Sequence, residues 1–225
     1  MITTIIFDVF GTLFQVGEGG SARKIIHNIL ACDKEVDYEQ FVREWKAYYK
    51  AHTAPENEFL KERDIFISRI QMFYDRFEVD RDAEADTDAL LADAFLRRAF
   101  EEAKQVIEEL RKEYKVFIGS NTDNDVLASV MEKNGISVDK VYTSENLRCY
   151  KPGWEFFSKI LADNGLKPEE VLFVGDSVSD DILGPKALGI KTVLVDREGK
   201  GEVIPHFQAV RNDIFRFKRI GSRGM

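Results

Sequence analysis

The chain has 225 residues, a formal net charge of −8 and a pI near 5.1, so it is long enough for one sizeable core plus a smaller insertion. The acidic balance excludes a general nucleic-acid binder, which needs clustered Lys and Arg, and the basic stretch Arg216, Lys218, Arg219 reads as a solvated face or tail. No apolar run approaches the ~20 residues that span a bilayer, and Met1 leads straight into a strand, so the expectation is a cytoplasmic protein with a small-molecule partner and no membrane or nucleic-acid partner.

The first element is an apolar run, Ile5-Ile6-Phe7, which has the pattern of a buried parallel strand and delivers Asp8 into a loop punctuated by Gly11 and Thr12. The pattern then changes for about eighty residues. Ser21 to Leu30, Tyr38 to His52 and Glu58 to Phe77 carry apolar residues at spacings of three and four, which predicts helices. A further helix follows the acidic stretch Asp80 to Asp88, with Thr87 or Asp86 as its cap. From Ala99 onward helix and strand alternate: helix Glu101–Lys112, strand Val116–Ile118, helix Asp125–Lys133, strand Val141–Tyr142, helix Trp154–Asn164, strand Val171–Val174, helix Ile182–Leu188 and strand Thr192–Val195.

That alternation predicts an α/β fold, a doubly wound parallel sheet with helices on both faces, into which an all-helical cap is inserted. The expected division is a core of residues 1–14 and 96–225 and a cap of residues 15–95. Ligands of such sheets bind beyond the carboxyl ends of the strands. The residues there are Asp8, then Gly119-Ser120-Asn121-Thr122-Asp123, then Ser144-Glu145 and Lys151, then Gly175-Asp176-Ser177 with Asp180-Asp181.

Carboxylates converging from different strands repel one another unless a cation lies between them. Asp8, Asp176 and Asp181 suit Mg²⁺, which favours a few hard oxygen ligands and retains waters. Lys151 would add a positive charge, and Ser120 and Asn121 would supply donors to an oxyanion. Each feature also has a plainer reading: Asp8 as a turn former, Ser120-Asn121-Thr122-Asp123 as a capping cluster, Lys151-Pro152 as an exposed turn, and Asp180-Asp181 as charges serving a helix N-terminus. Cys32 and Cys149 lack ligand neighbours at zinc spacing and read as reduced thiols, and His27, His52 and His206 are scattered.

Taken in order, FDVFGTL, GSN, YKPG and FVGDSVSDD resemble the four motifs of the haloacid dehalogenase superfamily, across Phe7 to about Arg197, with the helical insertion where that superfamily carries its cap. The resemblance implies a Rossmann-like hydrolase core with Asp8 as covalent nucleophile. It also implies that Ser120 and Lys151 bind the transferred group, with Phe10, Thr12 and Asn121 beside them. Mg²⁺ would be held by Asp8, Asp176, Asp181 and the Phe10 backbone carbonyl.

The motifs divide at one position. Phosphatases of the superfamily carry an acid two residues after the nucleophile, where this chain has Phe10; 2-haloacid dehalogenases carry an aromatic residue there. The fourth motif points the other way, because Asp176 has no purpose without a cation. No motif singles out Arg43, Lys46 or Arg63 as an anchor for a substrate carboxylate. Three readings follow: a Mg²⁺-dependent phosphatase, which is favoured, a metal-independent 2-haloacid dehalogenase, and a non-catalytic anion-binding protein.

Overall fold

The computed structural model describes residues 1–16, 20–32 and 37–197; His206, Arg216, Lys218 and Arg219 lie outside them. The strands β1 (Thr4–Phe7), β2 (Lys115–Ser120), β3 (Lys140–Thr143), β4 (Val171–Gly175) and β5 (Lys191–Leu194) form one parallel sheet in the order β3-β2-β1-β4-β5. The principal helices are α1 (Gly20–Cys32), α2 (Tyr38–His52), α3 (Glu62–Arg76), α4 (Ala83–Ala94), α5 (Ala103–Leu110), α6 (Asn124–Asn134), α7 (Ser144–Leu147) and α8 (Trp154–Asn164).

The apolar strand runs are explained by burial on both sheet faces. Ile5, Phe7, Val116, Ile118, Leu172 and Val174 pack with Ala103 and Ile107 of α5 and Leu127 and Val130 of α6. The alternate residues Ile6, Phe117 and Phe173 pack with Phe156, Phe157 and Ile160 of α8. β1 is central, with β2 on one side and β4 on the other, so Asp8 emerges where the winding of the sheet reverses.

Helices α1 to α4 lie between β1 and β2 in sequence and have an apolar cluster of their own, including Ile25, Ile29, Phe41, Ile70, Phe73 and Tyr74. The chain departs and returns through a narrow neck: Gln15 N donates to Arg98 O at 2.9 Å, and Phe100 N to Leu13 O at 2.9 Å. Phe14 and Ala99 form an isolated antiparallel bridge between them.

Three local expectations are corrected. Helix α3 begins at Glu62 rather than Glu58, because Lys61 is extended at φ −67° and ψ 152°. Helix α4 is capped by Asp82, which accepts from Glu84 N and Ala85 N. Thr87 lies inside that helix and donates to Ala83 O, while Asp86 accepts from Tyr74 and Arg81. The helix expected over Ile182–Leu188 is a π-helical turn, Val178–Leu183, running into a single helical turn at Gly184–Lys186.

The start of α3 is held by the sheet's own loops. Asp123, just after β2, leaves its own helix uncapped and instead accepts from Glu62 N at 3.0 Å and Arg63 N at 2.9 Å. Lys61 pairs with Glu145 at 2.5 Å, and the Tyr150 hydroxyl donates to Leu60 O at 2.9 Å. Removing the Asp123 carboxylate orphans two helix N–H groups, so Asp123→Ala is expected to cost about 1–2 kcal/mol in urea unfolding.

Glu62 is half-buried at this junction, and the Tyr49 hydroxyl donates to it at 2.8 Å. Burial above all pushes its carboxyl up to about 7; Asp123's charge adds to this, and the Tyr49 bond, Arg97 and Arg69 oppose it. The native state thus holds a proton that the unfolded chain has released, so this contribution to stability is present below the ordinary value of 4.5 and is lost as pH rises towards about 7. Glu62→Gln is expected to flatten the fall in melting temperature across that window, and an unchanged slope would refute this origin.

Candidate active site

The site is assembled from four strand ends. Asp8 follows β1 directly and is anchored by its N–H to Val174 O at 2.8 Å, which leaves the side chain pointing beyond the sheet edge. Its Oδ1 accepts from Lys151 Nζ at 2.8 Å and from Ser120 Oγ at 3.3 Å. Its Oδ2 lies 3.2 Å from Thr12 Oγ1, which is also 3.0 Å from Asp176 Oδ1; one hydroxyl proton serves one of these two carboxylates at a time.

Lys151 is buried at 3% exposure and bridges the two ends of the site, donating to Asp181 Oδ1 at 2.7 Å as well as to Asp8. Burial alone would depress its ammonium, but the charges of Asp181 and Asp8 prevail and hold it protonated. The second oxygen of Asp181 accepts from Ser177 N at 2.9 Å. Burial pushes the Asp181 carboxyl up to about 7, with Lys151 opposing and Asp8 adding. Asp176 is exposed at the rim, yet its carboxylate lies against Gly11 and Thr12; partial desolvation, then the charge of Asp8, push it up to about 6.

Two glycines make this crowding feasible. Gly11 has φ +91°, and a Cβ there would lie 2.3 Å from Asp176 Oδ2; a Cβ on Gly175 would lie 2.3 Å from Asp181 Cγ. The π-helical turn is closed by Asp181 N donating to Ser177 O and by Asp180 N donating to Ser177 Oγ, and it folds Asp181 back over Gly175. Asp8, Asp176 and Asp181 each present an oxygen within 4.8 Å of the others. The donor set is hard, anionic and all oxygen, and its charge is only partly balanced by Lys151, which fits Mg²⁺.

Burial sets Lys151, Ser120 and Asp181 apart from the plainer readings. Lys151 is not on an exposed turn, and Ser120 and Asp181 are each 1% exposed and turned towards the cluster. Asn121 is placed differently from the expectation of an oxyanion donor. Its amide donates to Lys151 O at 3.0 Å and its carbonyl accepts from Lys151 N at 2.8 Å, so it fixes the lysine loop. Ser144 similarly braces the β2 loop through Thr122 N and O, while Glu145 accepts from Asn124 N. Asp180 accepts from Ser179 Oγ and lies outside the three-carboxylate cluster.

Phe10 is packed at the edge of the core, with the Arg97 guanidinium 4.1 Å above its ring centroid. Arg63 pairs with Asp88 and Glu84, and Arg43 with Glu39, so neither is paired with the cluster. His27 is exposed, His52 Nδ1 lies 2.8 Å from Tyr48 O, burial lifts the Cys149 thiol to about 11, and none belongs to the Asp8 cluster. Sequence reasoning missed Arg197, which donates to Thr12 O at 2.6 Å and pairs with Glu102, bracing the loop that carries Asp8. It also missed Arg97, because nothing in a linear motif links the neck to Phe10.

Comparison with known proteins agrees with this geometry. The family model described as haloacid dehalogenase-like hydrolase matches residues 2–189. The chain is 28% identical over 206 residues to ribulose-1,5-bisphosphate 5-phosphatase of Halopiger xanaduensis, covering 87% of this chain and 85% of that protein. Its fold is similar to the magnesium-bound HAD-hydrolase YfnB of Bacillus subtilis, with a TM-score of 0.69 at 16% identity over 94% of this chain and 97% of that one. It is similarly close to L-2-haloacid dehalogenase of Xanthobacter autotrophicus, with a TM-score of 0.67 at 21% identity, covering 89% and 80% of the two chains. With the model matched over most of its length and the four strand ends meeting at Asp8, the chain belongs to the haloacid dehalogenase-like hydrolases.

Proposed function

We propose that this hydrolase is a Mg²⁺-dependent phosphatase acting on a small phosphorylated molecule, with residues 15–95 serving as a cap over the site. The observation that carries the reading is the convergence of Asp8, Asp176 and Asp181 within 4.8 Å of one another, an acidic cluster that metal-free displacement of halide does not need. The phosphatase relative that matches most of this chain supports the substrate class.

In this reading Asp8 Oδ2 attacks phosphorus, a P–O bond to the aspartate forms, and the ester P–O bond breaks with its electron pair leaving on the substrate oxygen. Water then cleaves the aspartyl phosphate and releases inorganic phosphate. Lys151 holds Asp8 through Oδ1 and, with Ser120, faces the charge that develops on the transferred group. Asp8, Asp176 and the Phe10 carbonyl would hold Mg²⁺, with Asp181 directly or through water, and the ion would offset the repulsion between carboxylate and phosphate. Thr12 donates its one hydroxyl proton to either Asp8 or Asp176.

The dehalogenase reading keeps one specific support, the apolar Phe10 in the place of a proton donor. The readings separate when halide and phosphate release are measured side by side: phosphate release is expected, abolished by a chelator and restored by Mg²⁺. Asp8→Asn should remove turnover with circular dichroism unchanged, whereas Mg²⁺-independent halide release would overturn the phosphatase reading.

A positioned general acid contributes roughly 10²- to 10⁴-fold, most for strongly basic leaving groups. Phe10 cannot donate a proton, so aryl phosphates are expected to turn over faster than simple alkyl phosphates by about that margin. A flat dependence of kcat on leaving-group pKa would mean that another acid has taken the position.

A further inference from the structure

Arg97 lies at the neck where the helical segment rejoins the core, one residue before the Arg98 carbonyl that accepts from Gln15 N. Its guanidinium covers the Phe10 ring at 4.1 Å, so it lies beside the loop that carries Asp8. A guanidinium has five N–H donors and ordinarily finds an acceptor when removed from bulk water. Arg63, Arg76, Arg81 and Arg111 each meet a carboxylate. Among the described residues the Arg97 side chain has no hydrogen bond or ion pair; its backbone N–H donates to Ala94 O and its carbonyl accepts from Asn134.

The cation is held in place by a ring instead of an anion. Stacking on an aromatic face supports the guanidinium from one side and leaves its N–H edge available for a planar, bidentate acceptor. Burial lowers the affinity of Arg97 for its proton and Glu62 opposes this, although the Glu62 carboxyl is engaged by the Tyr49 hydroxyl and makes no ion pair with Arg97. Glu62 on α3 is the charged group that acts on Arg97, and around Glu62 lie Arg69 on the same helix, Tyr49 on α2, and Asp123 and Tyr150 from the core loops. Arg69 is itself enclosed between Trp45 and Phe66, at 4.0 and 4.8 Å, and is 7% exposed.

We propose that Arg97 reads a second anionic group on the substrate, a carboxylate or a phosphate remote from the one being transferred, and that Phe10 is the platform that presents it. The identity of the reaction rests on the phosphatase reading; the anion site itself rests on the unpartnered guanidinium. The same arrangement explains why an acid is absent at position 10. An aspartate there would stand under Arg97, pair with it and cancel the charge that the substrate is to meet.

The test compares substrates of one shape and different charge: 3-carboxyphenyl phosphate, its neutral counterpart 3-carbamoylphenyl phosphate, and benzene-1,3-diyl bisphosphate. The wild type is expected to favour the anionic members in kcat/KM by about 10- to 100-fold over the carbamoyl compound, the range of a charge-assisted bidentate contact. The preferred anionic member identifies carboxylate or phosphate as the second group. Arg97→Met should collapse that ratio towards one, and Arg97→Lys should retain part of it, since the charge stays and the fork is lost. Phe10→Asp should collapse it as well.

Calorimetric binding of 3-carboxyphenylphosphonate against 3-carbamoylphenylphosphonate measures the same preference without turnover. Discrimination in binding that is lost in Arg97→Met, with no phosphate released from any substrate, would uphold the anion site and overturn the phosphatase reading. Phosphate release with equal kcat/KM for charged and neutral tails, or a ratio untouched in a folded Arg97→Met, would overturn the anion site alone.

Discussion

A single buried ammonium organises this molecule's chemistry. Lys151 Nζ, 2.8 Å from Asp8 and 2.7 Å from Asp181, ties the end of the first strand to the turn after the fourth. Enclosing a lysine is costly unless its charge is matched, and here two carboxylates match it while a third, on Asp176, adds a further negative charge. Three carboxylates and one ammonium leave a double negative charge, the complement of one divalent cation. Burial first, and the charge of Asp8 after it, raise the carboxyls of Asp176 and Asp181.

The surrounding structure keeps this charge density in register. Asn121 grips both the N–H and the carbonyl of Lys151, so the lysine's backbone is fixed before its side chain reaches the acids. Gly11 and Gly175 let two carboxylates approach the chain to distances that any Cβ would forbid. Arg197 holds the Thr12 carbonyl, so the loop that carries Asp8 has a support of its own. Preorganisation of this kind places dipoles and charges before a substrate arrives, which is how such groups act most strongly.

What was legible in the sequence follows from period and punctuation. Strands buried on both faces read as continuous apolar runs, and their ends reveal the site because a parallel sheet exposes chemistry there. The errors came where tertiary contacts overrode local signals. Thr87 resembles a cap but is buried within α4, its hydroxyl returned to Ala83 O, because Asp82 already serves that helix end. Asp123 sits where its own helix would use it, and instead caps α3 across the junction. Asn121 was expected to meet an oxyanion, but its two-sided amide is complementary to the Lys151 backbone. The partners of Asp123 and Asn121 lie far off in sequence and beyond a local pattern, whereas Thr87 and Asp82 belong to a single helix end.

That junction also gives Phe10 a physical meaning. A residue beside a nucleophile can contribute a proton or shape, and a phenylalanine contributes shape and a negative ring face. The ring's face is occupied by Arg97, while Glu62 above the neck is committed to Tyr49 and α3 is tied down by Asp123. A positive charge is thereby held on the Phe10 ring without an ion pair, because an aromatic surface supports a cation yet leaves its hydrogen-bonding edge unspent. In the proposed reading, position 10 thus exchanges one kind of electrostatics for another: a proton donor directed at the leaving oxygen is given up, and a cation held on the ring is kept for the remainder of the substrate.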